Sequence, residues 1–179
     1  MFPDGETVLP TNATIGEHKM IQHEIRELTN ADHAWVRQIL VQHWHSTTVV
    51  SRGHIHQADV LPGFVALRKG ERLGLVTYHV ANKECEIVTL NSLVEGKGVG
   101  SGLIDAVTNT ATLCGCNRLW LVTTNDNTHA LRFYQKRGFA LVAVHRRAIE
   151  QSRLLKPEIP LTGIDGIPIR DEIECEKIL

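Results

Sequence analysis

A chain of 179 residues with 42% hydrophobic and 22% charged residues has the composition of one ordinary globular domain, which argues against a disordered chain. Lys and Arg number 19 against 20 Asp and Glu, for a formal charge of -1, so no overall basic field draws in nucleic acid or an anionic membrane surface. The longest apolar run, Phe139 to Val144, is far short of the roughly 18–20 residues that span a bilayer.

Residues 1–19 carry Gly5, Gly16 and two prolines but no apolar h-region, and read as a mobile leader, not a secretory signal. Met20 is a candidate start, and residues 20–179 read as one domain. Ile21 to Leu28 is a predicted strand, followed at Thr29-Asn30-Ala31-Asp32 by a capping box with Asp in the last place. Trp35, Val36, Ile39, Leu40 and His43 then recur at helical spacing. Residues 44–62 carry no recognisable motif. Gly63 to Lys69, a turn at Gly70-Glu71, and Leu73 to Ala81 read as a hairpin; a turn at Asn82-Lys83 leads into a strand from Glu84 to Leu90.

The pattern then changes. A glycine-rich segment opens a helix carrying Val99, Leu103, Val107 and Ala111 and ending near Cys114-Gly115. Arg118 to Thr124 follows as a nearly continuous apolar strand, expected where both sheet faces are covered, and the three make a β-α-β crossover. A helix from Asn127 to Arg137 stops at Gly138, a left-handed cap position, before a strand from Phe139 to His145. A short helix, Ala148 to Leu155, precedes an irregular excursion set by Pro157, Pro160, Gly163, Gly166 and Pro168. The period-two pattern of Asp171 to Glu176 predicts a half-exposed final strand, open to pairing across a two-fold axis as a homodimer. Cys85, Cys114, Cys116 and Cys175, without an export signal, read as reduced thiols in a cytoplasmic protein. Cys114-Gly115-Cys116 lacks zinc-finger spacing.

The segment Glu95-Gly96-Lys97-Gly98-Val99-Gly100-Ser101-Gly102 lies between a strand and a helix, where unpaired N–H groups and the helix dipole favour an anion such as phosphate. A dinucleotide fingerprint from Gly96 or Gly98 would need glycine at Ser101 or Leu103, and a Walker A loop would not place Gly98 after Gly96-Lys97. What fits is x-x-x-Gly-x-Gly over 95–100, which resembles the Gln/Arg-x-x-Gly-x-Gly/Ala loop of the GCN5-related N-acetyltransferases. Glu95 departs from that pattern, and Lys97 can offset its charge. Asn127 to Phe139 is similar to the family's second signature, Asn-x-x-Ala-x-x-Phe-Tyr-x-x-x-Gly-Phe. Independently of any family, Asn127 and Tyr134 are seven residues apart and so lie within ~20° on one helix face. The bland alternative makes Asn127 an N-cap and Tyr134 a core aromatic.

The resemblance implies an α/β (α+β) fold: a mixed, mostly antiparallel sheet of six to seven strands with helices on both faces. Glu84–Leu90 and Arg118–Thr124 would splay apart to admit the pantetheine arm of acetyl-CoA. It further implies that Leu90, Asn91 and Ser92 meet pantetheine through main-chain groups, that Lys97, Gly98, Val99, Gly100, Ser101 and Gly102 supply N–H donors to pyrophosphate, and that Asn127 and Tyr134 face the cofactor. Tyr134 would protonate the departing thiolate and Leu90 N–H would hold the oxyanion. Glu86, four residues before Leu90, is the candidate base, with Glu84 on the same strand side as competitor. Cys85 points to the other side, which favours direct transfer in a ternary complex over an acyl-cysteine. Arg52, His54 and His56 are candidates for an acceptor pocket. The pairs His43-Trp44-His45 and His54-Ile55-His56 have no acidic or thiol company nearby, so no metal is expected. The implied acceptor is a small-molecule or peptide amine, with no nucleic-acid or membrane partner. The competing class is an acyl-CoA-binding sensor or partner module weak in catalysis.

Overall fold

The computed structural model describes residues 23–179; the expected leader, Met20, and the first two residues of the expected first strand lie outside the described residues. Strand β1 (Glu24–Glu27) leads into a 3-10 turn (Asn30–Asp32) and helix α1 (His33–Trp44). The capping box forms: Thr29 N–H donates to the Asp32 carboxylate at 3.0 Å. Asp32 is fully buried between Arg26 (2.7 Å) and Arg72 (2.9 Å), whose guanidinium groups, Arg26 foremost, hold its carboxyl well below the usual carboxylate range.

The motif-free segment proves to be a small hairpin, β2 (Thr48–Ser51) and β3 (His54–Gln57). Its two turn residues, Arg52 (φ 48°) and Gly53 (φ 77°), both sit in the left-handed region that a tight two-residue hairpin requires. Strands β4 (Gly63–Arg68), β5 (Glu71–Ala81) and β6 (Glu84–Ser92) make the expected meander. The first turn falls at Lys69–Gly70, one residue earlier than predicted, because Glu71 already pairs with Arg68. Helix α2 (Val99–Leu113), strand β7 (Arg118–Thr124), helix α3 (Thr128–Gln135), strand β8 (Ala140–His145), helix α4 (Ala148–Leu155) and strand β9 (Glu172–Ile178) complete the chain.

The seven-stranded sheet runs β1-β4-β5-β6-β7-β9-β8, antiparallel except at β6–β7. On one face, α2 and α3 cover a core that includes Val99, Leu103, Val107, Ile87, Leu119 and Phe139. On the other, α1 packs with β2 through Val36, Leu40, Val49 and Val88. Helices thus cover both faces of a mostly antiparallel sheet. No helix among the described residues is long and apolar enough to cross a membrane.

The final strand requires a correction. Strand β9 lies between β7 and β8, so neither of its edges is free to pair across a two-fold axis. Its Glu172 and Glu174 are 2% and 4% exposed. The period-two pattern looked half-exposed because the partners of these carboxylates are remote in sequence: Ser152 reaches Glu172, while Arg118 and His145 reach Glu174.

Two irregularities shape the site. Strand β6 pairs with β7 only from Glu84 to Glu86, opposite Arg118 to Trp120; beyond that the strands part. In β6, Ile87 pairs with Tyr78 and Thr89 with Thr77, so Val88 is the extra residue of a β-bulge. Glu86 and Leu90 would share a face in a regular strand. The bulge separates them: Leu90 packs on the α2 side and Glu86 meets His56 on the α1 side.

Candidate active site

The glycine turn ends with Gly96 (φ 65°) and Gly98 (φ 80°), which side chains disfavour. Gly98 is the N-cap of α2, and the Gly102 N–H closes the helix's first turn onto Gly98 C=O at 3.0 Å. The N–H groups from Gly98 to Ser101 are therefore the ones without an intrahelical acceptor. A Cβ on Gly100 would lie 2.9 Å from the Phe133 ring, so glycine lets α2 approach α3 closely. Gly102 instead packs against Ile25, where a Cβ would lie at 2.7 Å.

A groove of about 540 Å³ opens above this turn, lined by Leu90, Ser92, Glu95, Gly96, Gly98, Val99, Gly100, His129, Arg132, Phe133, Tyr134 and Arg137. Lys97 is exposed at the turn and is not among the lining residues. The positive charge comes instead from Arg132 and Arg137, which sequence reading missed. Arg137 donates to Ser101 Oγ from Nε (3.0 Å) and Nη2 (2.7 Å) and to Phe133 C=O from Nη1 (2.7 Å). Its guanidinium lies 3.5 Å from the Phe133 ring centroid, and burial draws its pKa below the ordinary value. The available signal was its position four residues after Phe133, whose carbonyl and ring it meets. Three side chains in this region serve structural bonds: Ser101 accepts from Arg137, Asn91 Oδ1 accepts from Trp44 Nε1 (3.0 Å), and Ser92 Oγ donates to Val94 C=O (2.8 Å).

Tyr134 is 8% exposed, edge-on to Phe133 (5.2 Å) and Phe139 (5.4 Å), and burial pushes its phenol well above the ordinary value. Asn127 is the N-cap of α3, its Oδ1 accepting from Ala130 N–H at 3.1 Å. It also lines a second cavity, of about 220 Å³, where β6 and β7 part. Glu86, Ile87 and Val88 form one wall, Val122 to Thr124 another, and Trp44, Ser51, Ile149, Lys156 and Glu172 close it. Lys156 and Glu172 were also missed. Lys156 Nζ donates to the carbonyls of Trp44 (3.0 Å) and Thr48 (2.8 Å); Glu172 accepts from the Ser152 hydroxyl (3.1 Å) and Arg52 N–H (3.1 Å).

Glu86 is 5% exposed, and one carboxylate oxygen lies 3.2 Å from His56 Nε2. The contact is not aligned as a hydrogen bond, and His56 Nε2 and Glu86 Oε1 are both buried without a partner. His79 faces Glu86 across the β5–β6 ladder, its ring 5.3 Å from that of His56. Glu84 is held by Arg118 at 2.9 Å. Of the other pocket candidates, His54 is exposed at the start of β3. Arg52 is drawn toward Glu174 (3.4 Å) and the Trp120 ring (5.7 Å). Cys85 is fully buried on the α2 face, and burial, helped by Cys116, pushes its thiol up to about 12.

A cavity with a buried carboxylate thus lies where two parallel strands part, and a groove at the glycine turn lies further along β6 on the other face of the sheet. Residues 21–139 match the sequence model of the acetyltransferase (GNAT) family. The chain belongs to that family. A relative from Bacillus subtilis (strain 168), uncharacterized protein YdhI, is 43% identical over 139 residues, which cover 77% of this chain and 87% of the relative. Among solved structures, the fold is similar to that of a Bacillus subtilis acetyltransferase in complex with CoA (TM-score 0.62, 20% identity, 88% of this chain and 98% of that one). It is equally similar to a GNAT family acetyltransferase from Elizabethkingia anophelis with acetyl-CoA bound (TM-score 0.62, 18% identity, 88% and 98%). In this GNAT chain the glycine turn and the helix from Asn127 onward form the two banks of the groove.

Proposed function

We propose that the protein moves the acetyl group of acetyl-CoA to an amine, of a small molecule or a peptide, by direct attack within a ternary complex. The observation that carries this reading is the parting of β6 and β7 after Glu86, which leaves the unpaired edge of β6 between the anion groove and the cavity. Two proteins of the same fold were crystallised with CoA or acetyl-CoA, in keeping with a diphosphate at the glycine turn and a thioester in the parting.

A thioester there meets groups from both faces of the sheet. Glu86, on the α1 side, takes a proton from the acceptor's ammonium, directly or through water. The freed amine attacks the thioester carbonyl carbon, and the tetrahedral oxyanion is held by Leu90 N–H. The C–S bond breaks, the CoA thiolate takes the proton of Tyr134 from the α3 side, and the acylated nitrogen gives its remaining extra proton to solvent to leave a neutral amide, after which water reprotonates Tyr134. That phenol is protonated at neutral pH, as a donor must be, and burial raises it further above its ordinary value. Cys85 is unsuited to an acyl-enzyme route, being buried on the wrong face with its thiolate disfavoured.

Glu95 in the groove favours a second reading, a module that binds acyl-CoA without transfer, because a carboxylate opposes a diphosphate. Thiol release from acetyl-CoA across a panel of amines separates the two. The enzyme reading expects release with at least one amine and its loss in Glu86→Gln; binding of acetyl-CoA with no release for any amine supports the module.

A further inference from the structure

We infer that His56, His79 and Glu86 form a binding site for a divalent transition-metal ion of the zinc class, beside the cavity that Glu86 lines. The sequence showed only His-x-His pairs without acidic company. The fold supplies that company: β5–β6 pairing sets His79 opposite Glu86, and the β2–β3 hairpin lowers His56 onto both. One ligand-type atom from each of the three residues lies within 4.8 Å of the other two. A tetrahedral zinc with bonds of ~2.0–2.2 Å wants its donors ~3.3–3.6 Å apart, so the three must close by about 1 Å, within reach of small side-chain rotations.

The second observation is the state of the polar atoms themselves. His56 has a side chain 10% exposed, Glu86 one 6% exposed, and His56 Nε2 and Glu86 Oε1 are both buried without a hydrogen-bond partner. A buried polar atom left unsatisfied costs about 1–3 kcal/mol, and a single cation can satisfy the imidazole lone pair and the carboxylate together. Two imidazoles and one carboxylate suit zinc, cobalt or nickel better than calcium or magnesium, which prefer oxygen. Three protein ligands leave a coordination position open, and Glu86 connects the site to the cavity that it lines. An ion held there occupies the carboxylate proposed as base, and the ion and the acceptor compete for it.

The test needs neither acetyl-CoA nor acceptor, so it stands or falls apart from the proposed transfer. Chelator-treated full-length protein is titrated with zinc by calorimetry and with cobalt by visible absorption. The expected result is one ion per chain, with cobalt bands of low-coordinate nitrogen and oxygen ligation. His79→Ala and Glu86→Gln should each weaken binding at least about tenfold, since even outer-shell changes reach that size. His54→Ala, on the same hairpin but exposed, should bind as the parent does. The near-isosteric Glu86→Gln carries the test if His79→Ala fails to fold. No stoichiometric uptake, or affinity unchanged in both His79→Ala and Glu86→Gln, overturns the site.

Discussion

Replacing Tyr134 with phenylalanine deletes one oxygen and leaves the ring, and the structure says which quantities should then move. The ring's edge-on contacts with Phe133 and Phe139, at 5.2 and 5.4 Å, are kept. Such contacts are worth about 0.5–1.5 kcal/mol each, so thermal stability should stay within about 1 kcal/mol of the parent. Acetyl-CoA affinity should change less than about threefold, because the glycine turn and Arg137 are untouched. Turnover should fall by about 10²- to 10⁴-fold, the usual contribution of a positioned acid, equivalent to about 2.7–5.4 kcal/mol of barrier. Steady-state thiol release with an amine that turns over gives kcat, calorimetry gives the affinity, and an acetyl thioester of a more acidic thiol should restore part of the lost rate. Burial raises the phenol, so in the parent kcat should show no alkaline fall from this donor until above pH ~10. An unchanged kcat, or an equal loss in affinity and turnover, refutes the acid role.

The other predictions concern the groove and the fold. Gly100→Ala places a Cβ 2.9 Å from the Phe133 ring, so stability should fall by about 1–2 kcal/mol with weaker acetyl-CoA binding; a variant matching the parent in both would mean the approach of α2 to α3 is not what glycine protects. Arg137→Ala removes the cation over Phe133 and should weaken acetyl-CoA about tenfold, measured by calorimetry, with a smaller effect on kcat; an unaltered affinity would assign Arg137 to structure alone. Asp32→Asn should lower stability at pH 7 by about 2–3 kcal/mol in urea melts. Because the folded pKa of Asp32 is depressed, its contribution is present above the ordinary carboxylate pKa of ~3.9 and lost as pH falls below it. The parent's advantage over Asp32→Asn should therefore start to shrink as pH falls below ~4 and go on shrinking to the lowest pH reached, and parallel profiles would contradict the pairing.

Local pattern was enough for β7 and α4, whose bounds match the reading from sequence to the residue, because an apolar run and a short amphipathic stretch between breakers carry their own limits. The β2–β3 hairpin was not legible: its strands are four residues long, partly polar, and joined by Arg52-Gly53, which signals a turn only once the strands are known. Glu172 and Glu174 looked solvated because the groups that bury them come from α4, β7 and β8. In the site, the glycine turn and Tyr134 were visible because both belong to contiguous motifs. Arg137 was not singled out, and the Val88 bulge, which sends Glu86 and Leu90 to opposite faces, leaves no mark that spacing reveals. His79 is an unremarked strand residue until register sets it against Glu86.

Diphosphate held at the head of α2, with the acetyl end in the parting of β6 and β7, is the claim on which the functional account rests. Crystallising the protein with acetyl-CoA tests it most directly. The account predicts phosphate oxygens against the N–H groups of Gly98 to Gly100, with the thioester sulfur beside the Tyr134 hydroxyl. A cofactor bound elsewhere, or a glycine turn left bare at saturating acetyl-CoA, would contradict it.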